Sequence, residues 1–219
     1  MSDIFQEVDE ELKRQHMDKA LRTYGPIVGV VALVVLASFS GYFFWQGQAE
    51  RRAEAAGDNL VRGMEFLAMG QQDLAASVFA GIAENAPGQY EMLARFNEAA
   101  ALRQAGNTAS AIEAYDEIAG DAANAQEFRD LARYYAGLTT LGNDASTFVD
   151  IETRLAPVAD GEGPWRFHAT ESLAYAAFRE NQFDVAATRY RQLTDNPETP
   201  AGVAARATEM LNLTEAASD

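Results

Sequence analysis

Cysteine is absent from all 219 residues, which removes disulfides, thiolate nucleophiles and cysteine metal sites together. The compartment stays open on this ground, because a cysteine-free chain suits either side of a membrane. Histidine is almost as scarce. His16 and His168 are the only two and lie far apart in sequence, so neither a histidine metal site nor a His-based triad is expected. The chain holds no phosphate-binding loop, no GxSxG elbow and no HExxH pair. These absences point to a protein that is not an enzyme and carries no catalytic residue, cofactor or metal. No alternating β-branched run of useful length occurs, so strands are not expected.

Positive charge is also in short supply: 17 basic residues stand against 33 acidic, a net charge of −16. No lysine follows Lys19. The first 23 residues contain four basic and six acidic side chains, leaving 13 basic and 27 acidic, or −14, for the rest. That excess repels nucleic acid and anionic headgroups and keeps a domain soluble.

What the chain does have begins with an apolar run. From Pro26 to Trp45 it reads PIVGVVALVVLASFSGYFFW, with no charged residue between Arg22 and Glu50. Twenty such residues at a rise of about 1.5 Å cover a hydrocarbon core of about 30 Å. A single transmembrane helix is expected over 24–46, with Tyr24 at one interface and Tyr42 and Trp45 at the other. The run exceeds a signal-peptide core and follows a long tail of mixed charge, so it reads as an uncleaved anchor. Lys13, Arg14, Lys19 and Arg22 precede it and Arg51, Arg52 and Arg62 follow, a bias that favours a cytoplasmic N-terminus. Residues 1–23 form an amphipathic tail with Ile4, Phe5, Val8 and Leu12 on one helical face. Gly29, Ala32, Ala37, Ser40 and Gly41 are small enough to admit a neighbouring helix within the membrane.

Beyond the run, residues 47–219 form one domain in which apolar positions recur at helical spacing between short turn signals. The pattern predicts helices over 48–69, 72–85, 89–105, 108–119, 125–141, 145–156, 165–180, 183–194 and 199–215. Alignment on turn glycines reveals a repeat. Ala75, Phe79 and Ile82 follow Gly70 at five, nine and twelve residues, and Ala111, Tyr115 and Ile118 follow Gly106 at the same intervals. Seven residues before each glycine stands a small residue, Gly63 or Ala99, and four before it a large one, Phe66 or Leu102. A small residue permits close helix crossing, a large one fills the wedge and glycine makes the turn. This pattern resembles the tetratricopeptide repeat. A degenerate third unit is centred on Gly142, with Tyr135 and Leu138 before it and Thr147, Ile151 and Arg154 after. In the fourth, Leu173, Ala174 and Ala177 precede Asn181 while Ala186, Tyr190 and Leu193 follow. The turn spacings of 36, 36 and 39 residues exceed the usual repeat of about 34 and imply longer connections. Residues from about Thr199 to Ala216 would cap the stack. The fold class is therefore all-α: one transmembrane helix, then a tetratricopeptide-like α-solenoid of about four helix pairs with a capping helix.

The tail MSDIFQEVDEELK, a single span and a tetratricopeptide-like domain running to the end together resemble the YfgM-type family. The resemblance implies an ancillary subunit of the SecYEG translocon in a bacterial inner membrane. It further implies a cytoplasmic tail, a periplasmic repeat domain, and translocon and membrane-anchored periplasmic chaperones as partners.

Stacked helix pairs present the first helix of each pair on a concave face that receives peptides or partner helices. The repeat register assigns Leu60, Met64 and Leu67 to that face from unit one and Phe96 and Arg103 from unit two. Unit three adds Arg129, and unit four adds His168, Glu171, Tyr175 and Phe178. Apolar and aromatic groups with scattered arginines suit poorly structured, exported polypeptide. Packing against the next repeat or the terminal helix would use the same residues, and Tyr134–Tyr135 and Trp165–Phe167 read as core. The function expected is translocon-associated protein–protein interaction, tethering chaperones or exported chains. The alternative is a structural accessory subunit of another membrane complex, such as a respiratory or division assembly.

Overall fold

A computed structural model describes residues 36, 38, 39, 42, 46–48, 50–86 and 88–218. The chain divides into two compact units, 1–52 and 53–219. In the first, the described residues are helical, and Leu36, Phe39 and Tyr42 are exposed. The expected tail at 1–23 and most of the expected span at 24–46 lie outside the described residues. Among the described residues, no helix is long and apolar enough to cross a membrane.

The second unit is a succession of helices, with no strand among its described residues. We label them α1 (53–68), α2 (Gln72–Asn85), α3 (Gln89–Gln104), α4 (Thr108–Gly120), α5 (Gln126–Leu141), α6 (Phe148–Ala159), α7 (Arg166–Arg179), α8 (Phe183–Asp195) and α9 (Ala201–Ser218). From α2 onward each helix packs on the next, and α5 also meets α7. The short turns join α1–α2, which meet at Gly63 and Phe79, α3–α4 and α7–α8 into pairs, α5–α6 form the remaining pair, and α9 lies on α7 and α8.

The turn inside three of these pairs has one design. Gly70, Gly106 and Asn181 adopt left-handed backbone with φ of 71°, 82° and 59°. The N–H of the following residue reaches the carbonyl five back, in Gln71→Phe66 (2.8 Å), Asn107→Leu102 (2.9 Å) and Gln182→Ala177 (2.9 Å). This closure satisfies carbonyls that a helix end otherwise leaves unpaired, and it needs a residue that tolerates positive φ.

The third pair departs from it. Gly142 has φ −73° and merely caps α5, and six residues rather than three connect α5 to α6. Thr147 starts α6 through a capping box: its N–H donates to Asp150 Oδ2 at 2.9 Å, and its Oγ1 accepts from the Asp150 N–H at 3.4 Å. The helix expected at 145–156 therefore runs Phe148–Ala159, and the repeat register centred on Gly142 is corrected. Ile151, Leu155 and Val158 are its core positions, and Arg154 instead reaches Asp116 across the repeat boundary at 2.6 Å. The small residue of this unit is Gly137, not Tyr135.

Each pair then obeys one rule: a small residue on the first helix faces a large one on the second. A Cβ on Gly63 would stand 2.7 Å from Phe79 Cζ, and one on Gly137 would stand 2.5 Å from Leu155 Cγ. Ala99 with Tyr115, and Ala174 with Tyr190, occupy the same places in the second and fourth pairs, all four buried. Burial of one such large side chain is worth about 1.5–3 kcal/mol. The largest cluster joins pairs three and four to α9 through Leu155, Leu173, Tyr190, Leu193, Val203 and Ala207. Polar ties between successive pairs add register: Asn107 donates to Asp73, Arg154 to Asp116 and Arg189 to Glu152.

Candidate protein-binding groove

The stripe Gln89, Met92, Leu93, Phe96, Asn97, Ala100 and Arg103 recurs at three- and four-residue intervals along α3 and forms one wall of an open groove. Phe128, Leu131 and Tyr135 of α5 form the other wall, Tyr115 of α4 the floor, and Ala123–Ala125 one end. The groove holds about 710 Å³. Its surface is mostly apolar, with Leu93 45% and Phe128 46% exposed.

Aromatic contact fixes its shape. Phe96 lies 6.3 Å from Tyr115, 6.4 Å from Tyr135 and 6.5 Å from Phe128 between ring centroids, and Tyr115 stacks on Tyr135 at 5.5 Å. The chain of rings continues from Tyr135 to Tyr134, which stacks on Trp165 at 6.0 Å, and on to His168. Pairs two, three and four are thus joined by rigid rings beneath a surface that stays accessible. Burial pushes the Tyr115 phenol up, opposed by the Arg103 guanidinium beside it, so the hydroxyl stays neutral. Tyr134 is raised for the same reason, with the Ser172 hydroxyl opposing.

The residues expected on the concave face do not share one place. Phe96 and Arg103 line the groove. Met64 and Tyr175 are exposed elsewhere, while Leu60 and Leu67 pack on the first core cluster and Phe178 on the largest one, where it also touches Phe183. Arg129 is half-buried and donates to Gln126. His168 leans on Tyr134 and Trp165 with Nδ1 buried and unpartnered. Glu171 accepts two hydrogen bonds from Arg206, at 2.5 and 2.7 Å, tying α9 to α7.

Met92, Leu93, Tyr115, Phe128, Leu131 and Tyr135 were not anticipated as groove residues. The α3 members were legible as a continuous helical stripe through Phe96. Phe128 and Tyr135 were not, because their role depends on which face of α5 turns toward α3. Among the described residues no cluster of three or more His, Cys, Asp or Glu side chains has the geometry of a metal site.

The family model described as a tetratricopeptide repeat-like domain matches residues 2–146. The chain belongs to the tetratricopeptide repeat-like domain family. The matched segment ends in the long turn after α5, and the α7–α8 pair beyond it repeats the same small-to-large crossing and the same left-handed turn. No curated protein and no solved structure matches the chain. Tetratricopeptide repeat-like domains mediate protein–protein interactions, and the exposed apolar groove between α3 and α5 gives this member a surface for one.

Proposed function

We propose that the protein is a membrane-anchored, non-enzymatic interaction subunit that holds polypeptide segments in the α3–α5 groove. The observation carrying this reading is that Phe128 and Leu93 remain about half exposed around a groove whose floor is rigid stacked aromatics. Apolar side chains exposed singly are ordinary, but an open apolar groove with a fixed floor is what a peptide site requires.

The cellular setting belongs to the same proposal. Residues 24–46 anchor the chain in a bacterial inner membrane, with 1–23 in the cytoplasm and 47–219 in the periplasm, where it serves the SecYEG translocon and anchored chaperones or exported chains. The uncharged run from Tyr24 to Trp45 and the resemblance of the whole layout to the YfgM-type family support it. The test is affinity purification of the full-length chain from mildly solubilised membranes beside a version lacking residues 1–46. Translocon subunits recovered with the full chain and lost on truncation are expected. Recovery of another stable complex without them would reject the translocon assignment.

A further inference from the structure

The domain is acidic, yet no carboxylate lines the groove, and Arg103 is its single charged lining residue. Among the described residues, seven arginines each pair with a carboxylate; Arg103, like Arg51, Arg52, Arg62, Arg129 and Arg179, does not, and of these six only Arg103 lines the groove. It is exposed, at the C-terminal end of the α3 stripe, against the neutral Tyr115 hydroxyl. The opposite end is lined by Gly88, Gln89 and residues 123–125, which carry no charge. The groove thus has an apolar body and one cationic end.

Resting on the reading of this groove as a peptide site, we infer that it selects segments of other polypeptides in which an acidic residue stands about three positions from a large apolar one. Phe96 and Arg103 are seven residues apart on α3, about 10 Å along the helix, which an extended chain spans in about three residues. An aliphatic or aromatic side chain lies over the Phe96–Phe128 pair, and a carboxylate then reaches the Arg103 guanidinium. Hydrogen bonds between two ionised groups are roughly twice as strong as neutral ones, and they strengthen where apolar walls exclude water. A lysine at that position meets the like charge of Arg103, so discrimination has a repulsive part as well as an attractive one.

The test uses the full-length chain in nanodiscs and fluorescein-labelled peptides containing Leu-Phe-Ser-Ser-Asp, the reversed order Asp-Ser-Ser-Phe-Leu, and each with lysine in place of aspartate. Fluorescence anisotropy is expected to show at least one aspartate peptide binding about tenfold more tightly than its lysine counterpart, the ratio carried by about 1.4 kcal/mol. Arg103→Gln should abolish the ratio while leaving weak binding of both, and Arg103→Glu should invert it. Phe128→Ala, which removes a half-exposed ring and leaves the core intact, should weaken every peptide. Equal affinity for aspartate and lysine peptides, with both weakened by Phe128→Ala, overturns the charge selection and leaves the peptide-site reading standing. Absence of binding by every peptide overturns both.

Discussion

Gly137 faces Leu155 so closely that a Cβ on the glycine would stand 2.5 Å from Leu155 Cγ. The α5–α6 crossing depends on that missing carbon, as the α1–α2 crossing depends on its absence at Gly63 beneath the Phe79 ring. Neither large side chain has room to withdraw, since Phe79 and Leu155 are both fully buried.

Gly137→Ala and Gly63→Ala are therefore expected to destabilise the domain by about 1–3 kcal/mol, overpacking outweighing the better helix propensity of alanine. Gly81 supplies the control, because it is helical and a Cβ there meets nothing within 4 Å. Gly81→Ala should stabilise by about 0.5–1 kcal/mol. Chemical denaturation of the three variants checks this, and a stabilising effect at Gly137 would contradict the crossing described.

Turn positions divide by backbone rather than by residue type. Gly106, with φ 82°, should lose about 1–2 kcal/mol on replacement by alanine. Gly142, with φ −73°, should accept alanine without loss, because the left-handed penalty is absent. Thermal melts of Gly106→Ala and Gly142→Ala distinguish the two turns directly.

Glu98 has its carboxyl held above the usual value of 4.5, first by burial and then by Glu117 and Glu84, with Arg95 opposing. A carboxyl with a raised folded value binds its proton more tightly in the folded state than in the unfolded one. Its contribution is consequently favourable at low pH and is lost as pH rises through the folded value. Glu98→Gln should melt above the parent at about pH 8 and match it at about pH 3, below both carboxyl values. A difference independent of pH would assign the effect to packing rather than to charge.

The helix boundaries were nearly all written locally. Gly70 and Gly106, each seven residues after a small residue and five before a buried alanine, announced pairs one and two. The fourth pair was equally plain once Asn181 was allowed in glycine's place, because asparagine tolerates left-handed backbone. The third pair misled because Gly142 lies 36 residues after Gly106 and invites the wrong alignment. The signal that corrects it, Thr147-x-x-Asp150, was present and local, as was Gly137.

Sequence by itself determined the helical class, the repeat, the capping helix and the absence of thiol chemistry, because turn geometry and helical periodicity depend on near neighbours. Tertiary structure alone decided where the groove lies. Leu60 and Phe96 occupy the same register position one repeat apart, yet Leu60 packs on the first core cluster while Phe96 lines the groove. That outcome depends on which neighbouring helix covers each face. Such coverage is a long-range property of how successive pairs stack, and no local pattern along α1 or α3 contains it.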